Sequence, residues 1–280
     1  MEKDKPSRTS EGAAVHRAVH QLFDDEPKIL LDPITLRLVE MPVGIDLHVE
    51  ASRQVRSRLV LRSRYAEDCL AEAVAERAIG QYLILGAGLD TFAFRQPLCV
   101  RSIQIFEVDH PVTQHDKIER LKAADLHAPT NLHFVPVDFE STSLNDALRS
   151  TGFDFDSPTF CSWLGVTYYL SEEAIDRALE VIRLLQRGSE IVFEYMIPLE
   201  MLPNSAQEEI AADEIRKKAM GINEPILTRF IPAELAAKLR RMGFSEVTDF
   251  SDENGQERYF RNRYDGLAAD PAYHLMRAIV

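Results

Sequence analysis

Two glycines flanking an alanine, Gly86-Ala87-Gly88, directly follow the apolar run Tyr82-Leu83-Ile84-Leu85. A loop with so little side chain lets a ligand lie against backbone N–H groups, and glycine adopts the positive φ that a sharp strand-to-loop turn requires. About 21 residues after Gly86, a second apolar run ends in Glu107-Val108; an acid at that distance can accept hydrogen bonds from ribose hydroxyls. A third run, Leu132–Val137, ends in Asp138-Phe139, an acceptor beside an aromatic ring, which suits the amine and face of a purine. Trp163-Leu164 closes a fourth run, with Tyr168 shortly after it, and Glu194-Tyr195 closes a fifth. Tyr168 and Tyr195 are candidates to orient an acceptor oxygen. Arg95, just past the glycine loop and Asp90, is a candidate partner for an anionic substrate or for Glu107 or Asp109. No histidine stands in a motif that makes it a catalytic base.

Glycine loop and ribose acid are shared by two ligand classes, nicotinamide dinucleotides and S-adenosylmethionine. A dinucleotide site calls for a third glycine at position 91 and a long helix whose N-terminus faces the pyrophosphate. Position 91 is Thr, and Pro97 leaves room for little more than one helical turn. The loop therefore suits a ligand without phosphates, which favours S-adenosylmethionine.

Four segments occur in order: 85–91 (Leu-Gly-Ala-Gly-Leu-Asp-Thr), 106–111 (Phe-Glu-Val-Asp-His-Pro), 135–139 (Val-Pro-Val-Asp-Phe) and 163–170 (Trp-Leu-Gly-Val-Thr-Tyr-Tyr-Leu). Together they resemble the leucine carboxyl methyltransferase-like family of class I S-adenosylmethionine-dependent methyltransferases, which includes many bacterial small-molecule O-methyltransferases. The resemblance runs from about Thr9 to the C-terminus. It implies that Gly86, Ala87, Gly88, Asp90, Glu107, Val108, Asp138, Phe139, Trp163 and Leu164 line the cofactor site. It also implies that Arg64, in Arg62-Ser63-Arg64-Tyr65, grips the cofactor's methionine carboxylate; on residue type alone Arg64 reads rather as a surface helix arginine. The chain departs from the family at Phe92, where members often carry Arg.

The elements that must position these residues alternate strand and helix from residue 81, which predicts an α/β Rossmann-like sheet. The resemblance implies strand order 3-2-1-4-5-7-6 with an antiparallel last pair. Pro136 inside the third strand removes a ladder donor and fits an edge, which agrees with that order. Residues 1–80 read as an N-terminal helical cap over the open top of an 81–280 core: a helix from Ser10 to Phe23, a short one within 33–39, a loop through Pro42 and Gly44, then Ser52–Ile79 in one or two segments. The charged stretch 199–230, with a capping box at Ser205 and Glu208 and a helix to about Met220, reads as a lid. Phe244–Phe250 and Glu257–Arg261 are expected to form the closing hairpin.

Composition bounds the rest. Lys and Arg total 32 against 45 Asp and Glu, a formal charge of −13, which argues against nucleic-acid phosphate as a partner. Three scattered cysteines read as reduced core thiols and form no metal-binding pair. No apolar run approaches membrane-spanning length and the N-terminus lacks a signal-peptide core, so the expectation is a cytoplasmic monomer or homodimer with no membrane partner. The expected activity is transfer of a methyl group from S-adenosylmethionine to a carboxylate or hydroxyl oxygen of a small molecule. A nicotinamide-dependent oxidoreductase and a catalytically silent cofactor-binding partner protein are the alternatives.

Overall fold

The computed structural model describes residues 7–41, 53–139, 141–219 and 225–280. The expected loop through Pro42 and Gly44 and the expected helix end at Met220 lie outside them. Seven strands form one sheet of order β3-β2-β1-β4-β5-β7-β6. They are β1 Gln81–Leu85, β2 Gln104–Asp109, β3 Leu132–Pro136, β4 Thr159–Trp163, β5 Glu190–Met196, β6 Glu246–Phe250 and β7 Tyr273–Ile279. The first five are parallel, and β7 runs antiparallel between β5 and β6. β1 is central and wholly buried, as its unbroken apolar run requires of a strand covered on both faces. Pro136 closes the edge strand β3, where its missing N–H leaves no neighbour unpaired.

Side chains alternate cleanly across the sheet. Leu83, Leu85, Phe106, Val108, Trp163 and Phe193 face one core with helices α5 (Leu144–Arg149), α6 (Glu172–Arg183) and α8 (Pro232–Met242). Tyr82, Ile84, Ile105, Phe160 and Val192 face the other, against α3 (Arg53–Arg77), a single helix of 25 residues. α3 therefore covers a sheet face along its length rather than the open top. The element that reaches the top is α1 (Arg8–Phe23), capped by the Ser7 side chain and followed by the short α2 (Thr35–Leu38). α4 (Pro111–Ala123) follows β2 after one capping residue, His110.

Two expected elements fall elsewhere. The last strand is Tyr273–Ile279, and residues 257–260 are helical: Ser251 and Asn254 form a reciprocal capping box that starts a helical turn, and Phe260 is buried against Ile29, Leu30, Val60 and Leu267. The helix after strand five, α7 (Asn204–Ala219), begins before Ser205, because the Pro203 carbonyl accepts the first free N–H groups, from Ala206 and Gln207. Residues 225–230 then cross the ends of the central strands: Leu227 N–H donates to the Tyr168 carbonyl (2.8 Å) and Phe230 N–H to that of Met196 (2.9 Å). No helix among the described residues is long and apolar enough to cross a membrane.

Candidate active site

The site is built at the carboxyl ends of β1, β2, β4 and β5. Where β1 ends, Gly86 N–H and Ala87 N–H both donate to the Val108 carbonyl, at 2.8 and 3.0 Å, so the loop is pinned to β2. Gly86 has φ +68° and Gly88 φ +49°, conformations that disfavour any side chain. Space forbids one too. A Cβ on Gly86 would collide with the Val166 side chain, and one on Gly88 with the Ser10 hydroxyl. The loop is thus closed from two directions, by the segment after β4 and by the first turn of α1. Leu89 N–H donates to Ser10 Oγ (3.0 Å). Asp90 Oδ1 accepts Phe92 N–H (2.7 Å), which starts the single turn Phe92–Phe94. As Pro97 implied, no long helix opens at the loop.

The acid that touches the loop is Asp109. Its Oδ2 accepts the Gly88 N–H, and its Oδ1 that of His110 (2.6 Å). Burial pushes its carboxyl above the usual range against these hydrogen bonds. Glu107 lies two residues earlier, on the same side of β2 and deeper. It is fully buried, and Lys117 Nζ on α4, itself buried, sits 2.5 Å from its Oε2. Burial raises the Glu107 carboxyl to about 7 despite that cation, with Asp90 and Asp109 adding to the rise. Glu107 Oε1 is buried without a hydrogen-bond partner among the described residues. An unmet acceptor of this kind is costly to bury unless a ligand supplies the donor.

Asp138 and Phe139 sit half-buried past β3. The Asp138 carbonyl accepts Ser141 and Thr142 N–H groups, and its Oδ2 accepts the Ser141 hydroxyl (2.9 Å). The Phe139 ring lies 5.9 Å from Trp163, centroid to centroid. Trp163 is fully buried opposite Leu85, and its indole N–H has no acceptor. Leu164, half-buried, packs on the α3 side.

Arg64 does not reach this site. Its side chain is 47% exposed and paired with Asp68 at 2.8 Å on the outer surface of α3. The arginine that does reach it is Arg62. Two residues on a helix are turned about 200° apart, so only one of them can face inward. Arg62 Nη1 lies 2.6 Å from where a Gly165 Cβ would be, and 2.7 Å from Glu194 Oε2. The Tyr168 hydroxyl donates to the same Glu194 oxygen at 3.2 Å. Burial, and next the Glu194 charge, push the Tyr168 phenol well above its ordinary range, so it stays protonated as a donor.

Tyr195 and Arg95 are committed elsewhere. Alternation along β5 turns Tyr195 to the face opposite Glu194, and its hydroxyl donates to Asp249 on β6 (2.7 Å). Arg95 pairs with Glu67 at 2.9 and 2.5 Å, not with Glu107 or Asp109; its Nε donates to Thr91 and lies 3.5 Å from Asp32. Asp32 in turn holds Arg17 (3.1 Å), whose Nη2 donates to the Leu89 carbonyl (2.6 Å). Arg95 is a tether in a buried ionic net that fastens the N-terminal helices to the glycine loop.

Sequence reasoning therefore missed Ser10, Arg62, Lys117 and Asp109 as site neighbours. Only for Asp109 was a signal legible, in its position immediately before the His110-Pro111 helix start.

Comparison with known proteins agrees with this architecture. The leucine carboxyl methyltransferase family pattern matches residues 10–183. A Bacillus subtilis (strain 168) protein, YktD, assigned by name to the S-adenosyl-L-methionine-dependent methyltransferases, is 33% identical over 100% of this chain and 99% of its own. A similarly assigned protein of Mycobacterium marinum is 34% identical over 57% of this chain and 52% of its own. Among solved structures, a DUF574 family protein from Streptomyces avermitilis shares the fold with a TM-score of 0.62, at 14% identity over 98% of this chain and 97% of that one. The chain belongs to the leucine carboxyl methyltransferase family of S-adenosylmethionine-dependent methyltransferases.

Proposed function

We propose that the protein transfers a methyl group from S-adenosylmethionine to a carboxylate or hydroxyl oxygen of a small-molecule acceptor. The observation that carries the cofactor reading is the charge at the glycine loop. Asp109 occupies the Gly88 N–H, and Asp90 lies near enough to Glu107 for its charge to push the Glu107 carboxyl up. Three acids at the loop repel a pyrophosphate and suit a cationic, phosphate-free ligand. The residues also fit that ligand in detail. The two positive-φ glycines present bare backbone, Glu107 Oε1 is an acceptor without a donor, and Phe139 stands beside Trp163 where a flat ring can pack. Asp109 and Glu107 would take the ribose hydroxyls, and Asp138 and Phe139 the adenine.

The cofactor supplies a sulfonium methyl on a good leaving group, so the chain's main task is to align the acceptor oxygen and exclude water. Arg62, Glu194 and Tyr168 stand at the mouth for this. The guanidinium can hold an anionic acceptor, and Tyr168 can donate a hydrogen bond to an acceptor oxygen. Residues 225–230, bonded across Tyr168 and Met196, would cover the mouth as part of the lid. A carboxylate acceptor needs no base, whereas a neutral alcohol would require one.

The test is calorimetric titration with S-adenosylmethionine and, separately, NAD and NADP, followed by transfer of isotope-labelled methyl to a panel of carboxylic acids and phenols. The proposal expects binding of S-adenosylmethionine alone and base-labile ester or stable ether products. Binding of a nicotinamide dinucleotide, or label arriving only on nitrogen, would overturn it.

A further inference from the structure

Lys117 has no part in the mechanism above, yet a lysine with 1% of its surface exposed demands a reason. Burying an ammonium costs several kcal/mol unless a close counter-charge offsets it. Among the described residues its ion-pair partner is one oxygen of Glu107, and its charge also reaches Asp109. The pair is held by local geometry: α4 starts one residue after β2, and Gln114 Nε2 on its first turn donates to the Glu107 carbonyl (2.9 Å). This ties the helix to the strand and sets Lys117 beneath the carboxylate. Oε2 is thereby taken and Oε1 is left buried, without a partner.

The groups facing Glu107 are Asp90 from the glycine loop, Asp109 from its own strand and Lys117 from α4, with His110 beyond Asp109. Its register neighbours on β1 and β3, Ile84 and Phe134, carry no charge. Among the described residues named as acting on Glu107, Lys117 is the cation and Asp90 and Asp109 are acids, so without it burial and like charge would both favour protonated Glu107. A protonated carboxyl can turn a hydroxyl toward the ligand in place of an acceptor oxygen.

We infer that Lys117 is a positioning residue of the ribose subsite: by occupying one oxygen of Glu107 it keeps the other an ionised acceptor, aimed at a cofactor hydroxyl. This rests on the cofactor reading given above. A consequence is that cofactor affinity falls as pH drops through neutrality, because protonation of Glu107, whose carboxyl titrates at about 7, removes the acceptor. Removing the lysine moves that loss to higher pH.

The experiment is calorimetric titration with S-adenosylmethionine from pH 6 to 9, on wild type, Lys117→Met, Lys117→Arg and Glu107→Gln, each checked for folding by thermal melt. In parallel, carbon-13 NMR of carboxyl-labelled glutamate follows the Glu107 resonance in the ligand-free proteins. At pH 7, Lys117→Met should bind at least about fivefold more weakly, because moving a titration at about 7 up by one unit cuts the ionised fraction from about a half to about a tenth. The gap should narrow toward pH 9, Lys117→Arg should restore affinity, and Glu107→Gln should bind weakly with a flat profile. The Glu107 resonance should titrate at higher pH in Lys117→Met than in wild type. A Lys117→Met protein with wild-type affinity and profile would overturn the inference. So would one weakened by the same factor at every pH, which would make Lys117 a direct ligand contact or a purely structural residue. If Lys117→Met does not fold, a wild-type affinity unchanged from pH 6 to 9 overturns it instead. A wild type silent toward S-adenosylmethionine at every pH defeats the cofactor reading itself.

Discussion

Gly86→Ala is a one-carbon change whose cost can be worked from two separate features. At φ +68° an alanine is strained by about 1–2 kcal/mol relative to glycine. Its methyl would also overlap the Val166 side chain, and relieving such overpacking costs about 1–3 kcal/mol. The expected loss of stability is therefore about 2–5 kcal/mol, measured by urea denaturation. The two contributions separate in a double variant. Gly86→Ala/Val166→Ala removes the overlap but keeps the backbone strain, so it should be destabilised by less than the sum of its single changes, with a coupling of at least about 1 kcal/mol. Cofactor affinity should follow the loop: Gly86 and Ala87 N–H are fastened to Val108, and a loop shifted by the methyl would no longer present that backbone. A Gly86→Ala protein as stable as wild type and with unchanged S-adenosylmethionine affinity would refute both the positive-φ and close-contact arguments. Strictly additive single and double variants would refute the role given to Val166.

Arg64→Ala removes an exposed i,i+4 pair with Asp68 and should change stability by less than about 1 kcal/mol, with cofactor affinity intact by calorimetry. Arg62→Met, by contrast, removes the ion pair of the 1%-exposed Glu194 carboxylate and leaves it the Tyr168 hydroxyl and the nearby Arg58 charge, so a loss of about 2–3 kcal/mol, below the cost of a wholly unpaired buried charge, is expected in denaturant titration. Far from the site, burial alone would raise the Asp24 carboxyl, but His20 and Arg56 outweigh it and hold it at about 2. A lowered acid contributes stability that is present above its unfolded value of 3.8 and is lost as pH falls toward about 2. The shift corresponds to about 2 kcal/mol, so Asp24→Asn should flatten the acid limb of the stability-pH curve.

The α/β class and the presence of a ligand loop were legible in the sequence because they rest on local signals, whereas the strand order was implied by the family resemblance. Unbroken apolar runs mark strands buried on both faces, a glycine pair marks a loop that leaves no room for side chains, and Pro136 marks an edge. Each depends on residues within a few positions of one another. The same locality failed at the end of the chain, where residues 257–261 look strand-like but 257–260 are helical. The Ser251–Asn254 capping box is local and was readable, but the burial of Phe260 against Ile29 and Val60 depends on segments distant in sequence.

The identity of the site residues was decided by tertiary structure. Arg62 and Arg64 are the same residue type two positions apart, and only the placement of α3 against the sheet determines which one turns toward Gly165 and Glu194. Arg95 was readable as a cation beside the loop, but its partners Glu67 and Asp32 come from separate helices and connections. Glu107 and Asp109 both end the same strand, and depth alone separates them: one lies deeper and pairs with Lys117, the other meets the Gly88 N–H. Sequence patterning determines which face of an element is buried, through the period of its apolar residues. Which polar group finds which partner is settled by distances between elements, and these exist only once the chain has packed.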